Sequence, residues 1–349
     1  MLHIAGLVAL LACPASASAQ DWIYPIRQGD TPWSICLEYT NKPGCWIELS
    51  KYNGIDRDRR IPIGTEIRVP IDWLVTVPAV GTALSLQGEV LYESRAGGAA
   101  VPLKAGQPLL LGSRIVAANG SASIQLNNGS QLLLRQGAAL ELNALSTNPG
   151  PANATELVLP RGEVDVQVPP SPETRFEVRT PSAIAAVRGT SYRLAALQDE
   201  GDATRGEVVT GAVDVQAATA QRVEAGFGVI AKKGQPVAPP RALLDAPTVE
   251  RGSERGPLPI TLRGQPNPLA VAWRLDVYAP GGGSLPLETR RSAEPATTFE
   301  ELELACYRVV LLAIDAEDFS GMPVETPLCA EPPPPPPPEE WVPLLPHLM

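Results

Sequence analysis

The chain has 349 residues, of which 38 are Pro, 30 are Gly and only two are His. The histidines, His3 and His347, lie near opposite ends, so no domain between them contains a His-based zinc site, a Ser-His-Asp triad or a Cys-His pair. The net charge of -10 argues against nucleic-acid binding. A 44% hydrophobic composition predicts globular domains with real cores. We expect that the protein is not an enzyme and that it has no cofactor and no metal site.

Residues 1–19 are predicted to be a signal peptide. Residues 2–13 are apolar but too short to span a bilayer, and Ala17-Ser18-Ala19 has the small-residue pattern of a cleavage site. The protein is therefore expected to be exported. An alternative stays open, because Leu10 to Cys13 resembles a bacterial lipobox. Lipidation of Cys13 would make the protein an outer-membrane lipoprotein and would give it its contact with a membrane.

The other four cysteines form two local pairs. An even number of cysteines in an exported chain predicts disulfides. Three connectivities are possible in principle, and free thiols are the alternative. The pairs Cys36–Cys45 and Cys306–Cys329 are favoured because at least one domain separates them.

Residues 22–74 predict a strand, two helices and a second strand. The segment 22–26 alternates, Asp30 or Thr31 is a good helix N-cap, and Gly64 precedes an alternating run that ends at Pro70. The pattern resembles the LysM family, and it is carried by Tyr24, Ile26, Gly29, Asp30, Thr31, Trp33 and Ile35, then Leu49, Asn53 and Ile55, then Ile61, Gly64, Ile67, Val69 and Pro70. Pro32 departs from the family pattern, which usually has Leu there.

This resemblance implies a βααβ fold that binds glycans containing N-acetylglucosamine, chiefly peptidoglycan. In the family the glycan lies between the loop before the first helix and the loop after the second. The corresponding residues here are Gly29, Asp30, Thr31, Pro32, Trp33, Asn53, Gly54 and Ile55. The alternative is a module that has lost its affinity for glycans.

Residues 78–240 predict an all-β domain of stacked short strands, because Gly and Asn-Gly turns recur between short apolar runs. The segment resembles the FecR domain. The more specific pieces of this resemblance are Phe176, Val178, Thr180 and Pro181, followed by Val187, Gly189, Thr190 and Tyr192. The resemblance implies an extracytoplasmic domain used in envelope sensing and protein contacts, and therefore a periplasmic or cell-envelope location in a Gram-negative bacterium.

Two groups of polar residues in this domain are interpreted as structural rather than functional. Arg188-Gly189-Thr190 is interpreted as a tight turn that needs Gly, rather than as an adhesive or anion-binding loop. Four carboxylates alternate with apolar residues, which predicts that they lie on the solvent face of strands. These carboxylates are Glu163, Asp165, Glu207 and Asp214.

Residues 241–257 are predicted to be a linker, and residues 258–330 a small β-sandwich. The order of a core Trp273, then Tyr307 and Val309, resembles fibronectin type III or immunoglobulin-like modules. Residues 331–349 form a Pro-rich tail that begins with Pro332 to Pro338. Residues 246–349 contain 7 basic and 15 acidic residues, so most of the net charge lies in this part of the chain.

The sequence thus predicts a mostly β, multidomain envelope protein without catalytic activity. The LysM-like module would bind peptidoglycan, and the FecR-like domain would contact an unidentified envelope protein or sense the envelope. The alternative is a ligand-sensing regulatory protein of a cell-surface signalling system, in which the LysM-like module only determines the location.

Overall fold

A computed structural model describes residues 21–40, 42–55, 61–75, 77, 79–145, 153–170, 174–187, 189–198 and 202–335. The chain divides into two compact units, Met1–Val77 and Pro78–Met349. The predicted signal peptide with Cys13, residue Arg188 and the tail after Pro335 lie outside the described residues. No helix in the described ranges is long and apolar enough to cross a membrane.

The first unit has the strand-helix-helix-strand order that the sequence predicts. Its elements are β1 (Asp21–Pro25), α1 (Pro32–Tyr39), α2 (Cys45–Tyr52), β2 (Glu66–Pro70) and a 3-10 turn (Ile71–Trp73). Strands β1 and β2 pair antiparallel from Asp21–Pro70 to Pro25–Glu66. Tyr24, Ile35 and Leu49 are almost fully buried between this sheet and the helices. The predicted disulfide Cys36–Cys45 is present and joins α1 to α2.

The second unit begins with a large, mostly antiparallel sheet of 15 strands, here called the central sheet. Its strands are β3 (Ala79–Glu93), β4 (Ala100–Pro102), β5 (Pro108–Leu110), β6 (Arg114–Leu126), β7 (Gln131–Leu134), β8 (Ala139–Leu145), β9 (Asn153–Gln167), β10 (Thr174–Arg179), β11 (Ile184–Val187), β12 (Ser191–Leu197), β13 (Ala203–Thr210), β14 (Ala212–Gln216), β15 (Ala220–Glu224), β16 (Phe227–Lys232) and β17 (Arg241–Ala242).

Strand β9 organises this sheet because it pairs with four neighbours. Its first half is parallel to β10 and antiparallel to β8, and its second half pairs with β7 and β12. Apolar residues alternate along the strands and point into a common interior, as Val164 and Val166 do in β9. The predicted turn before β12 is present: Gly189 has φ +70°, and a Cβ there would lie 2.7 Å from the backbone of Pro170. Gly is therefore required at this position.

The rest of the second unit is a two-sheet sandwich. Its strands are β18 (Arg255–Gly256), β19 (Ile260–Arg263), β20 (Ala270–Tyr278), β21 (Glu288–Ser292), β22 (Ala296–Phe299), β23 (Cys306–Asp315) and β24 (Val324–Ala330). Five strands form one sheet in the order β18-β24-β23-β20-β21, and β19 pairs with β22. Trp273, Phe299 and Val309 belong to the core between the sheets. The predicted disulfide Cys306–Cys329 links directly opposed residues of β23 and β24.

The segment predicted as a linker, residues 241–257, contributes to both parts of the second unit. Arg241 and Ala242 extend the central sheet as β17, and Arg255 and Gly256 pair with β24 in the sandwich. Leu243 between them is buried. The central sheet and the sandwich are therefore joined by a packed segment within one compact unit.

Candidate functional site

The first predicted glycan loop is held by its own polar side chains. The Asp30 carboxylate accepts hydrogen bonds from the Tyr24 hydroxyl at 2.8 Å and from the Arg27 N–H at 2.7 Å. Burial and then this bond to Asp30 raise the pKa of Tyr24, so its hydroxyl remains a donor at neutral pH. Thr31 caps α1: its Oγ1 accepts from the Ser34 N–H, and its own N–H donates to Ser34 Oγ.

Pro32 and Trp33, the two residues after the Thr31 cap, differ in burial. Pro32 occupies the first turn of α1, where its missing N–H costs no hydrogen bond, and it is buried. Trp33 follows with 55% of its surface exposed. The departure from the LysM pattern at Pro32 is therefore compatible with the helix start, and Trp33 presents an apolar ring to solvent beside the loop.

The second predicted loop is fixed through Asn53. Its Nδ2 donates to the carbonyls of Leu49 and Arg68, both at 2.9 Å, and its Oδ1 accepts from the Arg68 N–H at 2.6 Å. These bonds tie the end of α2 to β2. Gly54 follows with φ +64° and is exposed, and Ile55 is half-buried.

Each predicted loop is thus attached to one strand of the same two-stranded sheet. The polar side chains of Asp30, Thr31 and Asn53 are engaged in bonds that shape the loops. Exposed parts of the set are the backbone at Gly29 and Gly54 and the ring of Trp33. Such an arrangement offers backbone groups and one aromatic surface, rather than free acids or amides, to a ligand.

A second polar region lies where the central sheet meets the sandwich. The loop Asp315–Gly321, which we call the docking loop, runs from the end of β23 toward β24 and packs on β12, β13, β16 and β17. Its Phe319 is 1% exposed, and a Cβ on Gly228 of β16 would lie 2.6 Å from the Phe319 ring. The ring therefore lies directly on the bare backbone of Gly228.

The backbone of the docking loop is bound by a buried ion pair. Arg193 of β12 donates to the carbonyls of Ser320 at 2.6 Å and Gly321 at 2.8 Å. Glu207 of β13 accepts from the Ser320 N–H at 2.8 Å. Arg193 Nε also donates to Glu207 at 2.5 Å, so each partner orients the other. Burial raises the pKa of Glu207, and the charge of Arg193 opposes that shift.

The acidic side chains of the docking loop meet three further arginines, one of which, Arg291 of β21, belongs to the sandwich and pairs with Asp318 at 2.7 Å. Arg205 of β13 pairs with Asp318 at 2.8 Å. Arg241 of β17 pairs with Asp315 at 2.9 Å and with Glu317 at 3.0 Å, and its guanidinium also lies over the Phe319 ring. We call the surface that receives the loop, formed by Arg193, Arg205, Glu207, Gly228 and Arg241, the loop site.

A second ion cluster joins the same two parts of the unit, and it is connected to the loop site by the pairing of Arg205 with Glu163 at 3.6 Å. Arg135, which follows β7, donates to both carboxylate oxygens of Asp276 in β20, at 3.0 and 2.9 Å. Arg274 of β20 pairs with Glu163 of β9 at 2.8 Å. Burial alone would raise the pKa of Asp276, but Arg135 and Arg274 outweigh it and lower that pKa.

These contacts correct the prediction for the four alternating carboxylates. Asp214 is exposed, as predicted. Glu207 is buried, Glu163 is paired with Arg274 of the sandwich, and Asp165 is paired with Arg135 of the central sheet, which also binds Asp276 of the sandwich. The period-two pattern showed which residues point away from the sheet's own core, but the sandwich covers that face.

The arginines of this interface were not identified from the sequence. One signal was present: β9 carries Glu163 and Asp165 between apolar residues, and β20 carries Arg274 and Asp276 in the same kind of alternation. Charges on the outer faces of two β domains are a usual property of solvated strands. They identify an interface only when the docking of the domains is known.

Comparison with known families gives two matches. A LysM domain model matches residues 24–70, and a FecR protein model matches residues 113–214. The chain contains a LysM domain followed by a FecR domain. The LysM match indicates glycan binding, and the FecR match indicates a part in envelope signalling. Neither is a family of enzymes.

Other comparisons add little. No match was found among curated proteins. Solved structures similar to part of the chain include two crystal structures of a protein described as a "putative anti-sigma factor" from Parabacteroides distasonis ATCC 8503. The identity is 20%, the TM-score is 0.31, and the match covers 36% of this chain and 57% of that one. The chain thus spans just over half of that protein.

The two candidate surfaces therefore have different chemistry. The LysM domain offers loop backbone and Trp33. The central sheet offers the buried Arg193 and Arg205 and the partly exposed Arg241, which the docking loop covers. Within the described ranges, no group of three His, Cys, Asp or Glu side chains is arranged to hold a metal ion.

Proposed function

We propose that the protein is a non-catalytic component of the bacterial cell envelope. It binds peptidoglycan, or another glycan containing N-acetylglucosamine, through its LysM domain. Its FecR domain contacts an envelope protein or takes part in sensing the envelope. The protein is exported to the periplasm, with the lipidated outer-membrane form as the alternative.

The observation that carries the glycan proposal is the LysM match on a domain whose two loops expose backbone and one tryptophan ring. The exposed backbone at Gly29 and the carbonyl of Gly54 are suited to the amide of an N-acetyl group, whereas the Gly54 N–H donates to the Lys51 carbonyl. The exposed ring of Trp33 is suited to the apolar face of a sugar. The side chains of Asp30 and Asn53 keep these loops in shape through their internal bonds. In this proposal their contribution is preorganisation of the site.

Retention on purified peptidoglycan tests the proposal. We expect Trp33→Ala to reduce binding at least tenfold, because stacking of a sugar on an aromatic ring is a main apolar contribution at such a site. Trp46→Ala is the matched control, since Trp46 is also exposed but lies in the first turn of α2, at the end away from the Asn53 loop. Unchanged binding by Trp33→Ala, or an equal loss in both variants, would contradict this assignment.

Protein contact by the FecR domain requires a separate measurement. A photo-crosslinking residue placed at exposed Arg222 on β15, with a second at exposed Gln28 in the LysM domain, distinguishes the two domains in cells. We expect a discrete protein adduct from position 222, identified by mass spectrometry, and chiefly glycan-associated material from position 28. A lack of protein adducts from several exposed positions on the central sheet would count against the FecR part of the proposal.

A further inference from the structure

We propose that the loop site is the protein-recognition site of the FecR domain and that the docking loop occupies it as an autoinhibitory contact. The partner that fits this site presents a tight loop with an aromatic residue between carboxylates and small residues. This inference rests on the proposed role of the FecR domain in protein contact, and it is independent of glycan binding by the LysM domain.

The loop site recognises features that any loop of this chemistry has. Arg193 binds the successive carbonyls of Ser320 and Gly321, and Glu207 accepts from the Ser320 N–H. These contacts involve backbone groups and do not depend on side-chain identity. Gly228 leaves room for a flat ring against the sheet. Arg205 and Arg241 add the requirement for carboxylates in the residues that precede that ring.

The composition of the contact favours reversible closure. Phe319 is the one large apolar side chain in the docking loop, and the rest of the contact consists of ion pairs and backbone hydrogen bonds. Desolvation offsets much of the attraction within buried ion pairs, so such contacts give specificity more than stability. Interfaces between domains of one chain commonly resemble those of transient complexes.

The outer side of the docking loop is accessible to solvent. The side chain of Glu317 is 59% exposed and that of Asp318 is 47% exposed, although both are paired with arginines. Asp318 has φ +64°, a region that non-glycine residues seldom adopt and that recurs at ligand clamps and switch segments. A competing loop can therefore displace these rim contacts first and reach the buried Arg193–Glu207 pair afterwards.

The binding test uses the full chain and a cyclic peptide with the sequence of residues 313–322. Cyclisation is appropriate because the Gly321 N–H donates to the Ala313 carbonyl, so the ends of this segment lie together. We expect the variant Asp318→Ala/Phe319→Ala to bind the peptide at least tenfold more tightly than wild type. Adding Arg193→Met to that variant abolishes binding, whereas adding Arg161→Met, at an exposed arginine of the same sheet, leaves it unchanged.

Equal binding of the peptide by wild type and by the docking-loop variant would overturn the proposal, as would binding that survives Arg193→Met. Hydrogen exchange on the wild-type chain gives a second test, which does not depend on whether any variant folds. The amides of Ser320 and Met322, which donate to Glu207 and to the Leu244 carbonyl, should exchange at least 100-fold faster than the amides of Val309 and Leu311 in β23. Equal protection of the two sets would mean that the loop opens only with global unfolding, and would overturn the proposal.

Crosslinking in cells separates this inference from the proposed function. The docking-loop variant should increase the yield of the protein adduct formed from the FecR domain, and Arg193→Met should reduce it. If the adduct persists unchanged in Arg193→Met, protein contact by the FecR domain stands and the loop site is not where it occurs.

Discussion

Asn53 connects α2 to β2 with three hydrogen bonds from a single side chain. We expect Asn53→Ala to destabilise the LysM domain by about 1–2 kcal/mol, because it removes both side-chain hydrogen bonds to the Arg68 backbone; the Leu49 carbonyl keeps its bond from the backbone N–H of residue 53. Thermal unfolding followed by circular dichroism measures the effect, and Gln28→Ala at an exposed loop position is the control. A loss of glycan binding in Asn53→Ala without a loss of stability would instead mean that the amide contacts the ligand directly.

Gly228 is the residue on which the Phe319 ring rests. A methyl group there would overlap the ring, so we expect Gly228→Ala to destabilise the second unit by about 1–3 kcal/mol through overpacking. Denaturant unfolding monitored by tryptophan fluorescence gives the value. Gly283→Ala is the matched control, because a Cβ at Gly283 meets its nearest neighbour at an ordinary 3.7 Å. Equal stability of the two variants would contradict the close contact.

At the level of elements, the two helices of the LysM domain depend on the disulfide that joins them. Helices α1 and α2 have eight residues each, a length at which a helix is marginal in water. We expect Cys36→Ser/Cys45→Ser to remove about 3 kcal/mol from the stability of this domain, the value for closing a loop of this length. Scanning calorimetry should show the LysM transition shifted to lower temperature.

The second disulfide provides the control for that experiment. Cys306→Ser/Cys329→Ser removes a bond between β23 and β24 and should leave the LysM transition where it was. A shift of the same transition by both double variants would show that the domains do not unfold separately.

Local sequence patterns predicted the elements of the LysM domain well because the turns, caps and buried positions lie within a few residues of each other. Thr31 and Gly64 mark element boundaries whatever the rest of the chain does. The same logic failed for Glu163 and Glu207. Alternation places both on the outer face of a strand, as it does Asp214, and only the docking of the sandwich distinguishes the paired or buried ones from the exposed one.

For the second unit as a whole, the ion pairs between central sheet and sandwich predict a dependence of stability on pH. Arg135 and Arg274 lower the pKa of Asp276 despite its burial, and Arg274 and Arg135 do the same for Glu163. A carboxyl group whose pKa is lowered by folding stabilises the folded state fully at pH values above its ordinary pKa, near 4. This contribution is lost as the pH falls through the lowered pKa. The contribution of Glu207 to stability changes with pH in the opposite direction, because its pKa is raised in the folded state and protonation therefore favours folding.

We therefore expect the free energy of unfolding of this unit to fall steeply below about pH 4. Asp276→Asn should cost about 3 kcal/mol at pH 7, because it leaves Arg135 and Arg274 partly uncompensated in a buried position. It should also flatten the acid limb of the stability profile, measured by urea unfolding from pH 7 to pH 2. Asp214→Asn, at an exposed site, should follow the wild-type profile. An unchanged slope in Asp276→Asn would contradict the role of this carboxylate.

The position of the docking loop late in the sequence means that the loop site is synthesised before the segment that covers it. Arg193 and Ser320 are 127 residues apart in the chain. A chain that is synthesised from its N-terminus therefore presents the arginines of the FecR domain well before the segment that covers them. Contacts of such long sequence separation also form late in folding. During synthesis every molecule thus passes through a period with these arginines uncovered, and chains truncated before residue 315 keep them uncovered permanently.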